Sequence, residues 1–454
     1  MLMKFRVSNF RSFKDDIEFS MEPTREKVHR DSHLFSVKES TNKDLLRTAV
    51  LFGANASGKS NFIRAFEFAK KIVTKGLRPK QSIACPYFKL DQSYKNKSSI
   101  FYFEVLAGKK MYSYEFHLST ESVVFEQLKE LTKSSEKLLF SRTSNEGGAV
   151  VEFSNYLEKQ HKSILDNITF VAEGTRRNQL FLTETLERNL KLFEPVYDWF
   201  NDTIKIFSPT SIGHGIEFRI GQDERFTKFL RELLSSFDPS IADIKSELGD
   251  AELASEIPAR VLQDIESELD EGDAVFMANI VDGNRSVILK QDDELKILKI
   301  CIERTCQNND GVAIFELEEE SDGTRRLIDL APLFFELLYT DKMVVALIDE
   351  LDRSLHPLAT KILLEVFLKK SSQNQSLSQV IISTHNSTLL DLELLRKDEI
   401  WLMDKREGGS QLLSLQRNFS PRYDRDIRKE YLEGSYGGIP KNSKTRLFQS
   451  LLDE

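Results

Sequence analysis

The sequence predicts an α/β fold: a mixed, mainly parallel sheet with helices, an antiparallel β meander, and an inserted, mostly helical subdomain. Apolar strands alternate with helical patterns near both ends of the chain, which is typical of a parallel sheet covered by helices. Three short runs of alternating polarity follow each other between residues 101 and 131. Residues 131–304 break this rhythm with polar loops and helical spacing.

The first elements are a strand, a second strand, a glycine-rich turn and a helix. Residues 3–9 alternate apolar and polar side chains, and residues 47–53 form a short apolar run that ends in glycine. Residues 59–73 then carry apolar side chains at helical spacing. A buried strand is therefore expected to lead directly into a helix.

The meander and the insertion follow. The runs FYFEVLAG, KMYSYEFHLS and SVVFEQLKEL are separated by tight breaks, which favours antiparallel hairpins. Helical patterns at 179–206, 224–237 and 257–270 predict that the insertion is mostly helical. Sustained heptads are missing from it, so we do not expect a long coiled-coil arm.

The last third returns to alternating strands and helices, and we expect it to share one sheet with the front of the chain. The predicted order is strand, helix, strand, helix, strand, strand, at 312–317, 323–339, 343–350, 356–370, 378–385 and 398–405. The predicted domains are 1–130 and 305–454, which form the two parts of one head, and 131–304, the insertion.

Composition excludes several classes of protein. No run approaches the roughly 20 apolar residues that cross a bilayer, and the start MLMKFRVSNF does not resemble a signal peptide, so we expect a cytoplasmic protein without a membrane partner. Three cysteines are too few for a disulfide framework. A net charge of −9 argues against coating nucleic acid through bulk charge, so any such contact would be local.

Residues 53–60, GANASGKS, fit the phosphate-loop pattern G-x-x-x-x-G-K-[ST]. Glycines allow backbone N–H groups to turn toward phosphate oxygens, and the helix that starts there adds its positive dipole end. Lys59 would place its charge on the β- and γ-phosphates, and Ser60 would offer a hydroxyl to Mg²⁺. This pattern predicts a nucleoside triphosphate site.

The apolar run MVVALIDE at 343–350 ends in two acids. An aspartate at the end of a buried strand can hold hydrated Mg²⁺ opposite a phosphate loop, and a following glutamate can polarise the attacking water. We therefore assign these roles to Asp349 and Glu350. The 290 residues from Lys59 to Asp349 indicate a nucleotide domain split by an insertion.

Further motifs resemble those of ABC-type ATPases. Residues 321–326, SDGTRR, resemble the signature motif, Glu350-Leu351-Asp352 resembles the D-loop, and Ser383-Thr384-His385 resembles the switch histidine region. Together with the phosphate loop, these motifs occur along the chain in the same order as in ABC-type ATPases. The resemblance implies an ABC-type ATPase head that binds ATP and Mg²⁺.

The opening VSNFRSF at 7–13 and the loop GANASGKSN narrow the resemblance to the SMC/RecF/OLD branch. Leu355-His356-Pro357 and the segment YLEGSYGGIP at 431–440 are most similar to RloA-type, AbiEii/OLD-like AAA ATPases of bacterial phage-defence loci. The chain departs from the ABC pattern at Glu320, where a leucine commonly precedes the signature serine. No Q-loop glutamine is assigned, Gln81 and Gln92 being the nearest candidates.

The resemblance implies a set of site residues. Glu350, His385 and Lys59 would be catalytic, with His385 sensing the γ-phosphate, and Ser60 and Asp349 would hold the metal. Arg11 is either a nucleotide contact or a surface arginine on an edge strand. The nucleotide contacts would be Gly53, Asn55, Ala56, Ser57, Gly58, Lys59, Ser60, Asn61, Ser321, Gly323, Asp352 and Arg11.

The resemblance also implies a homodimer, or a higher assembly of dimers, with ATP between two heads. The leading hypothesis is a defence ATPase that senses a trigger and controls a separate nuclease or effector, for example of Toprim type. Only about 70 residues follow His385, so we expect the nuclease to be another protein. The alternatives are a RecF-like DNA-repair ATPase that clamps DNA and a nucleotide-dependent assembly scaffold with little turnover; nucleic acid stays open as a partner.

Overall fold

The computed structural model describes residues 1–37, 43–145, 148–160, 165–213, 215–250, 259–270, 273–278, 285–307, 311–406 and 408–439. The chain divides into two compact units. The first comprises Met1–Ser208, Asp341–Leu351 and Leu363–Glu454, and the second comprises Pro209–Thr340 and Asp352–Ile362. Among the described residues, no helix has both the length and the apolar character needed to cross a membrane.

The elements of the first unit are given in chain order. Up to residue 208 they are β1 (Leu2–Ser8), β2 (Ile17–Ser20), α1 (Arg30–His33), β3 (Leu34–Val37), β4 (Lys43–Leu46), β5 (Thr48–Phe52), α2 (Lys59–Lys75), β6 (Ser99–Ala107), β7 (Lys110–Leu118), β8 (Val123–Leu131), β9 (Glu136–Asn145), β10 (Gly148–Phe153), α3 (Asn155–Gln160), α4 (Leu165–Gly174), α5 (Phe181–Glu187), α6 (Glu194–Asp198) and β11 (Ile204–Phe207).

The second unit and the rest of the chain follow. The second unit holds α7 (Ile216–Arg219), α8 (Glu224–Phe237), β12 (Ile241–Asp250), α9 (Ala259–Glu268), β13 (Ala274–Ala278), β14 (Arg285–Gln291), β15 (Glu294–Thr305), β16 (Val312–Glu316) and α10 (Asp322–Tyr339). After these come β17 (Val344–Ile348), α11 (Pro357–Gln373), β18 (Ser378–Ser383), β19 (Ile400–Arg406), β20 (Gly409–Ser414) and α12 (Ile427–Leu432).

A seven-stranded antiparallel sheet forms one layer of the first unit, in the order β10-β9-β8-β7-β6-β1-β2. It contains the predicted meander, which is confirmed as β6-β7-β8. The alternation of apolar and polar residues that predicted these strands matches their burial, because Phe101, Phe103 and Val105 of β6 are buried while the residues between them are half-exposed. These buried side chains form the inner face of the sheet.

The second sheet of this unit has the order β11-β17-β18-β5-β19-β20, and all its pairs are parallel except β19-β20. Strand β5 comes from the front of the chain and lies between β18 and β19 from the back. The prediction that both ends of the chain share one sheet is therefore confirmed. Every residue of β5, β17 and β18 is buried, which explains why β17 is entirely apolar and β5 is apolar after its first residue; β18 has an apolar centre between buried polar residues.

Helix α2 connects the parallel sheet to the core of the antiparallel one. Its Phe66 ring lies 4.2 Å from the Phe5 ring and 5.6 Å from the Phe103 ring, measured between centroids. Phe62, one turn earlier, also contacts Phe5, at 5.5 Å. This aromatic packing fixes the axis of α2, and with it the position of the helix N-terminus at Lys59.

The expectation that residues 131–304 are mostly helical was wrong. This segment includes β9 and β10 of the antiparallel sheet and most of a second-unit sheet, order β12-β15-β14-β13, in which β16 also pairs with β15. The alternation in β15 is obscured because Ile300, Cys301 and Ile302 are all buried in succession. The alternation of polar and apolar residues that usually marks a strand is therefore incomplete in β15. The helix predicted at 224–237 was confirmed as α8.

Candidate functional site

The phosphate loop runs from the end of β5 to the start of α2 and depends on two glycines. Gly58 has φ 120°, and a Cβ atom there would lie 2.4 Å from Oγ of Ser410. A Cβ atom on Gly53 would lie 2.5 Å from the carbonyl oxygen of Met403. Between the glycines, Asn55 and Ala56 form an exposed tip, and Ala56 has φ 60°. Only glycine fits both close approaches, so the pattern seen in the sequence has a steric cause.

Lys59 lies over this loop. Its Nζ donates to the carbonyl oxygens of Gly53 at 2.7 Å and Ala54 at 3.1 Å, and it lies 3.4 Å from Nδ1 of His385. The hydroxyl of Ser57 is buried and has no hydrogen-bond partner among the described residues. A helix N-terminus, a loop ammonium group and an unsatisfied buried hydroxyl are the groups that a bound phosphate would use.

The two acids follow β17 directly, and a residue of β18 holds both of them. Asp349 is 5% exposed, and its Oδ1 accepts a hydrogen bond from the hydroxyl of Ser383. The backbone N–H of Glu350 donates to the same hydroxyl oxygen at 2.9 Å. Glu350 has φ 51°, in the left-handed region that non-glycine residues rarely adopt. The neighbouring strand thus fixes the conformation of both acids.

Lysine, histidine and glutamate meet at the carboxyl ends of three adjacent strands. His385 follows β18, which lies between β5 and β17. Its Nδ1 faces Lys59, and its Nε2 lies 4.0 Å from Oε1 of Glu350. The carboxyl edge of a parallel sheet is where ligands bind in open α/β folds. The structure therefore brings together residues that are up to 326 positions apart in the chain.

The remaining oxygen donors fit magnesium. Ser60 opens the first turn of α2 and is half-buried, and the carboxylate of Asp349 ends β17. Hydroxyl and carboxylate oxygens are the donors that Mg²⁺ prefers, and Mg²⁺ completes its shell with water and phosphate oxygens. These two residues are suited to hold the ion when a nucleotide is bound.

Asn61 and Arg11 lie on the outer side of the loop. Asn61 donates to Oγ of Ser12 at 2.9 Å. Arg11 is exposed, has φ 50°, and its N–H donates to the carbonyl oxygen of Pro86 at 2.7 Å. Desolvation, followed by the nearby Arg64, lowers the pKa of Arg11. The segment around Arg11 is thus tied to the first turn of α2 through Ser12.

The residues of the signature motif belong to the second unit. Ser321 caps α10, its Oγ accepting the N–H of Thr324 at 3.2 Å. A Cβ atom on Gly323 would lie 3.0 Å from the carbonyl oxygen of Ser354, so this glycine permits close packing. Asp352 accepts the N–H of Leu355 on its backbone carbonyl at 3.1 Å, which forms a turn before α11. Ser321, Gly323 and Asp352 therefore belong to the second unit, whereas Lys59 and Glu350 belong to the first.

The departure at Glu320 has a structural explanation. Glu320 is 4% exposed, and Arg304 donates to its two carboxylate oxygens at 2.9 and 2.6 Å. The side-chain hydrogen bond to Glu320 is the largest cause that raises the pKa of Arg304. Glu320, the residue before Ser321, is thus held by a bidentate ion pair.

A protein family described as "AAA domain, putative AbiEii toxin, Type IV TA system" matches residues 49–391. This span includes the phosphate loop, the two acids, the signature motif and His385. The chain belongs to this family. No curated protein matches the sequence. AAA domains as a class bind and hydrolyse nucleoside triphosphates, which agrees with the groups at the sheet edge.

Sequence reasoning missed several residues that support the loop of this AAA domain. The hydroxyl of Ser410 donates to the carbonyl oxygen of Ser57, and its backbone N–H donates to the carbonyl oxygen of Ser12 at 2.7 Å. Nothing in the sequence links Ser410 to a loop 353 residues away. Ser383 was part of a recognised motif, but the motif gave it no role of its own.

The C-terminal segment 431–439 of this AAA protein also lies against the loop. The N–H of Gly438 donates to Oδ1 of Asp404 at 3.2 Å, and its carbonyl accepts the hydroxyl of Tyr431 at 3.1 Å. A Cβ atom on Gly438 would lie 3.6 Å from the Cα of Gly53. The motif used for the family resemblance thus touches the first residue of the phosphate loop. Its last residue, Pro440, lies outside the described residues.

Proposed function

We propose that the chain is an ABC/SMC-like ATPase that binds ATP with Mg²⁺ and hydrolyses it to ADP and phosphate. The observation that carries this proposal is the line of Lys59, His385 and Glu350 across β5, β18 and β17. Contacts of 3.4 and 4.0 Å connect the three side chains. The phosphate loop lies at one end of this line and the acids lie at the other.

Each residue has a distinct role in this proposal. Lys59 and the N-terminus of α2 bind the β- and γ-phosphates. Ser60 and Asp349 hold Mg²⁺, which supplies charge neutralisation on the phosphate oxygens when bound. Glu350 accepts a proton from the attacking water, and His385 contacts the γ-phosphate.

The test is equilibrium binding of ATP together with phosphate release. Replacing Lys59 with Ala removes the ammonium group over the loop, so ATP binding should be lost. Lys75→Ala is the matched control, because Lys75 is exposed at the other end of the same helix. Equal ATP affinity in Lys59→Ala and Lys75→Ala would contradict the proposal.

The proposal includes a homodimer in which ATP lies between the phosphate loop of one copy and the signature residues of the other. A groove of about 400 Å³ in the second unit is lined by apolar side chains and by polar residues that include Ser321, Thr324 and Ser354. Leu358 and Ile362 at its rim are 61% and 42% exposed. Exposed apolar surface beside polar signature groups is typical of an interface. We assign this face to the second copy.

Light scattering after size exclusion tests the dimer. Glu350→Gln protein should be monomeric without nucleotide and dimeric with Mg-ATP, because slow hydrolysis keeps ATP in place. Adding Ile362→Glu should prevent the dimer while leaving ATP binding by each copy unchanged. A dimer that persists in that double variant would refute the assignment of this face.

We further propose that ATP turnover serves phage defence by controlling a separate nuclease or effector. The family description names a toxin of a type IV toxin–antitoxin system, which supports a role in such a system; control of a separate effector is our own addition to it. Phage plating on cells that carry the native locus is the test. Wild-type protein should reduce plaque numbers, and Glu350→Gln should lose this protection; equal plating on both would contradict the defence role.

A further inference from the structure

Ser383 is the last residue of β18, and its side chain is fully buried. Its hydroxyl donates to Oδ1 of Asp349 and accepts the N–H of Glu350 at 2.9 Å. A serine hydroxyl offers one hydrogen and two acceptor sites. One buried side chain therefore uses its donor on the first acid and an acceptor site on the second.

The backbone of Ser383 adds a third contact. Its carbonyl oxygen accepts the N–H of Leu351 at 3.2 Å. Ser383 thus holds the N–H groups on both sides of the Glu350 α-carbon, whose φ of 51° is unfavourable for a glutamate. A residue keeps such an unfavourable conformation when several contacts of its surroundings hold it in place. Ser383 provides two of the contacts that hold Glu350 in this conformation.

Ser383 also lies between the two halves of the site. It pairs with Leu51 of β5 on one side and is two residues from His385 along the chain. The N–H of the intervening Thr384 donates to the carbonyl oxygen of Leu51 at 3.1 Å. The residue that orients the acids is therefore rigidly connected to the strand that leads into the phosphate loop.

We propose that Ser383 is a positioning residue for the metal-binding and water-activating acids, an inference that rests on the proposed ATPase function. Its hydroxyl holds the carboxylate of Asp349 in one orientation and keeps Glu350 in the left-handed conformation. Both acids are then in place before the nucleotide binds. Groups that orient a metal ligand through such hydrogen bonds typically change metal affinity or activity by roughly 10- to 100-fold when removed.

The chain offers a matched control on the same strand. Ser378 begins β18, is equally buried, and its hydroxyl contacts the hydroxyl of Ser376 at 2.8 Å. Replacing Ser378 with Ala removes the same atom from the same strand at the end away from the acids. Any general effect of losing a buried serine from β18 will appear in both variants.

The experiment measures Mn²⁺ affinity by electron paramagnetic resonance in the presence of AMP-PNP, together with kcat and ATP affinity, on the full chain. Ser383→Ala should weaken Mn²⁺ binding and lower kcat, each by roughly 10- to 100-fold, while ATP affinity without metal stays within about threefold. Ser378→Ala should match wild type in Mn²⁺ affinity. Ser383→Thr, which keeps a hydroxyl, should recover most of the loss.

The outcomes separate this inference from the proposed function. Wild-type Mn²⁺ affinity in Ser383→Ala, or an equal loss in Ser378→Ala, would overturn the role of Ser383 alone. Failure of the wild-type protein to bind AMP-PNP or hydrolyse ATP would instead overturn the proposed function. If Ser383→Ala does not fold by circular dichroism, Ser383→Cys replaces it, since a thiol leaves no cavity but is a weak donor and should lower Mn²⁺ affinity in the same direction.

Discussion

Two groups of charged side chains in the first unit, one within the antiparallel sheet and one at the edge of the parallel sheet, are built differently. In the antiparallel sheet, Glu126 and Arg142 have fully buried side chains 3.6 Å apart. The carboxylate of Glu126 also accepts hydrogen bonds from the hydroxyl of Tyr114 at 2.8 Å and from the N–H groups of Phe181 and Leu182 at 2.7 and 3.0 Å. This cluster is closed, and it ties α5 to the sheet.

At the edge of the parallel sheet the charges form an open line. The side chains of His385 and Glu350 are 37% and 35% exposed, and their contact is 4.0 Å. The backbone is left-handed at Ala56 and Glu350, whereas Glu126 and Arg142 have no such backbone. Buried charges held by several hydrogen bonds stabilise the fold, whereas an open line of charges on left-handed backbone is suited to bind a ligand.

We expect the strongest loss of ATP turnover from a substitution in the open line of Lys59, His385 and Glu350. Glu350→Gln keeps the shape of the side chain but removes the carboxylate that we propose as the base, so turnover should fall by roughly 10²- to 10⁴-fold while ATP still binds. Phosphate release and equilibrium ATP binding measure the two quantities. Glu365→Gln is the control, because Glu365 is an exposed glutamate on α11. Unchanged turnover in Glu350→Gln would show that the exposed acid is not the base.

The next effect is at the closed cluster and concerns stability. Glu126→Ala leaves Arg142 buried without its carboxylate, so the free energy of unfolding should fall by about 3–5 kcal/mol. Tyr114→Phe removes one hydrogen bond to the Glu126 carboxylate and should cost about 1.5–3 kcal/mol. Urea unfolding measures both. Turnover per folded molecule should not change; a specific loss of turnover in either variant would break the distinction between the two regions.

The smallest effect is expected where the C-terminal segment meets the phosphate loop. Gly438 has φ 72°, so Gly438→Ala should cost about 1–2 kcal/mol and weaken ATP binding by a few-fold. Gly434→Ala carries similar strain, with φ 86°, but its Cβ would meet Ile439 instead of the loop region. Calorimetric ATP titration of both variants is the measurement. Equal affinity losses would mean that the segment acts through general stability.

Local patterns predicted the parts of the site that are made by neighbouring residues. The loop at 53–60 and the acids after β17 could be predicted because a strand, a turn and a helix each leave a sequence signal. The contacts of Ser383, Ser410 and Gly438 could not be predicted, although Ser383 and Gly438 lie in recognised motifs, because these contacts join residues distant in the chain. β15 was missed for a different reason, since burial on both faces removed its alternation.

We propose above all that the loop at Lys59 and the acid at Asp349 bind one metal–triphosphate complex. Crystals grown with AMP-PNP and Mn²⁺ test it through the anomalous signal of manganese. We expect one strong peak bound by the hydroxyl of Ser60 and adjacent to the carboxylate of Asp349, with the γ-phosphate beside Lys59. A nucleotide bound elsewhere, or a manganese peak remote from both residues, would contradict it.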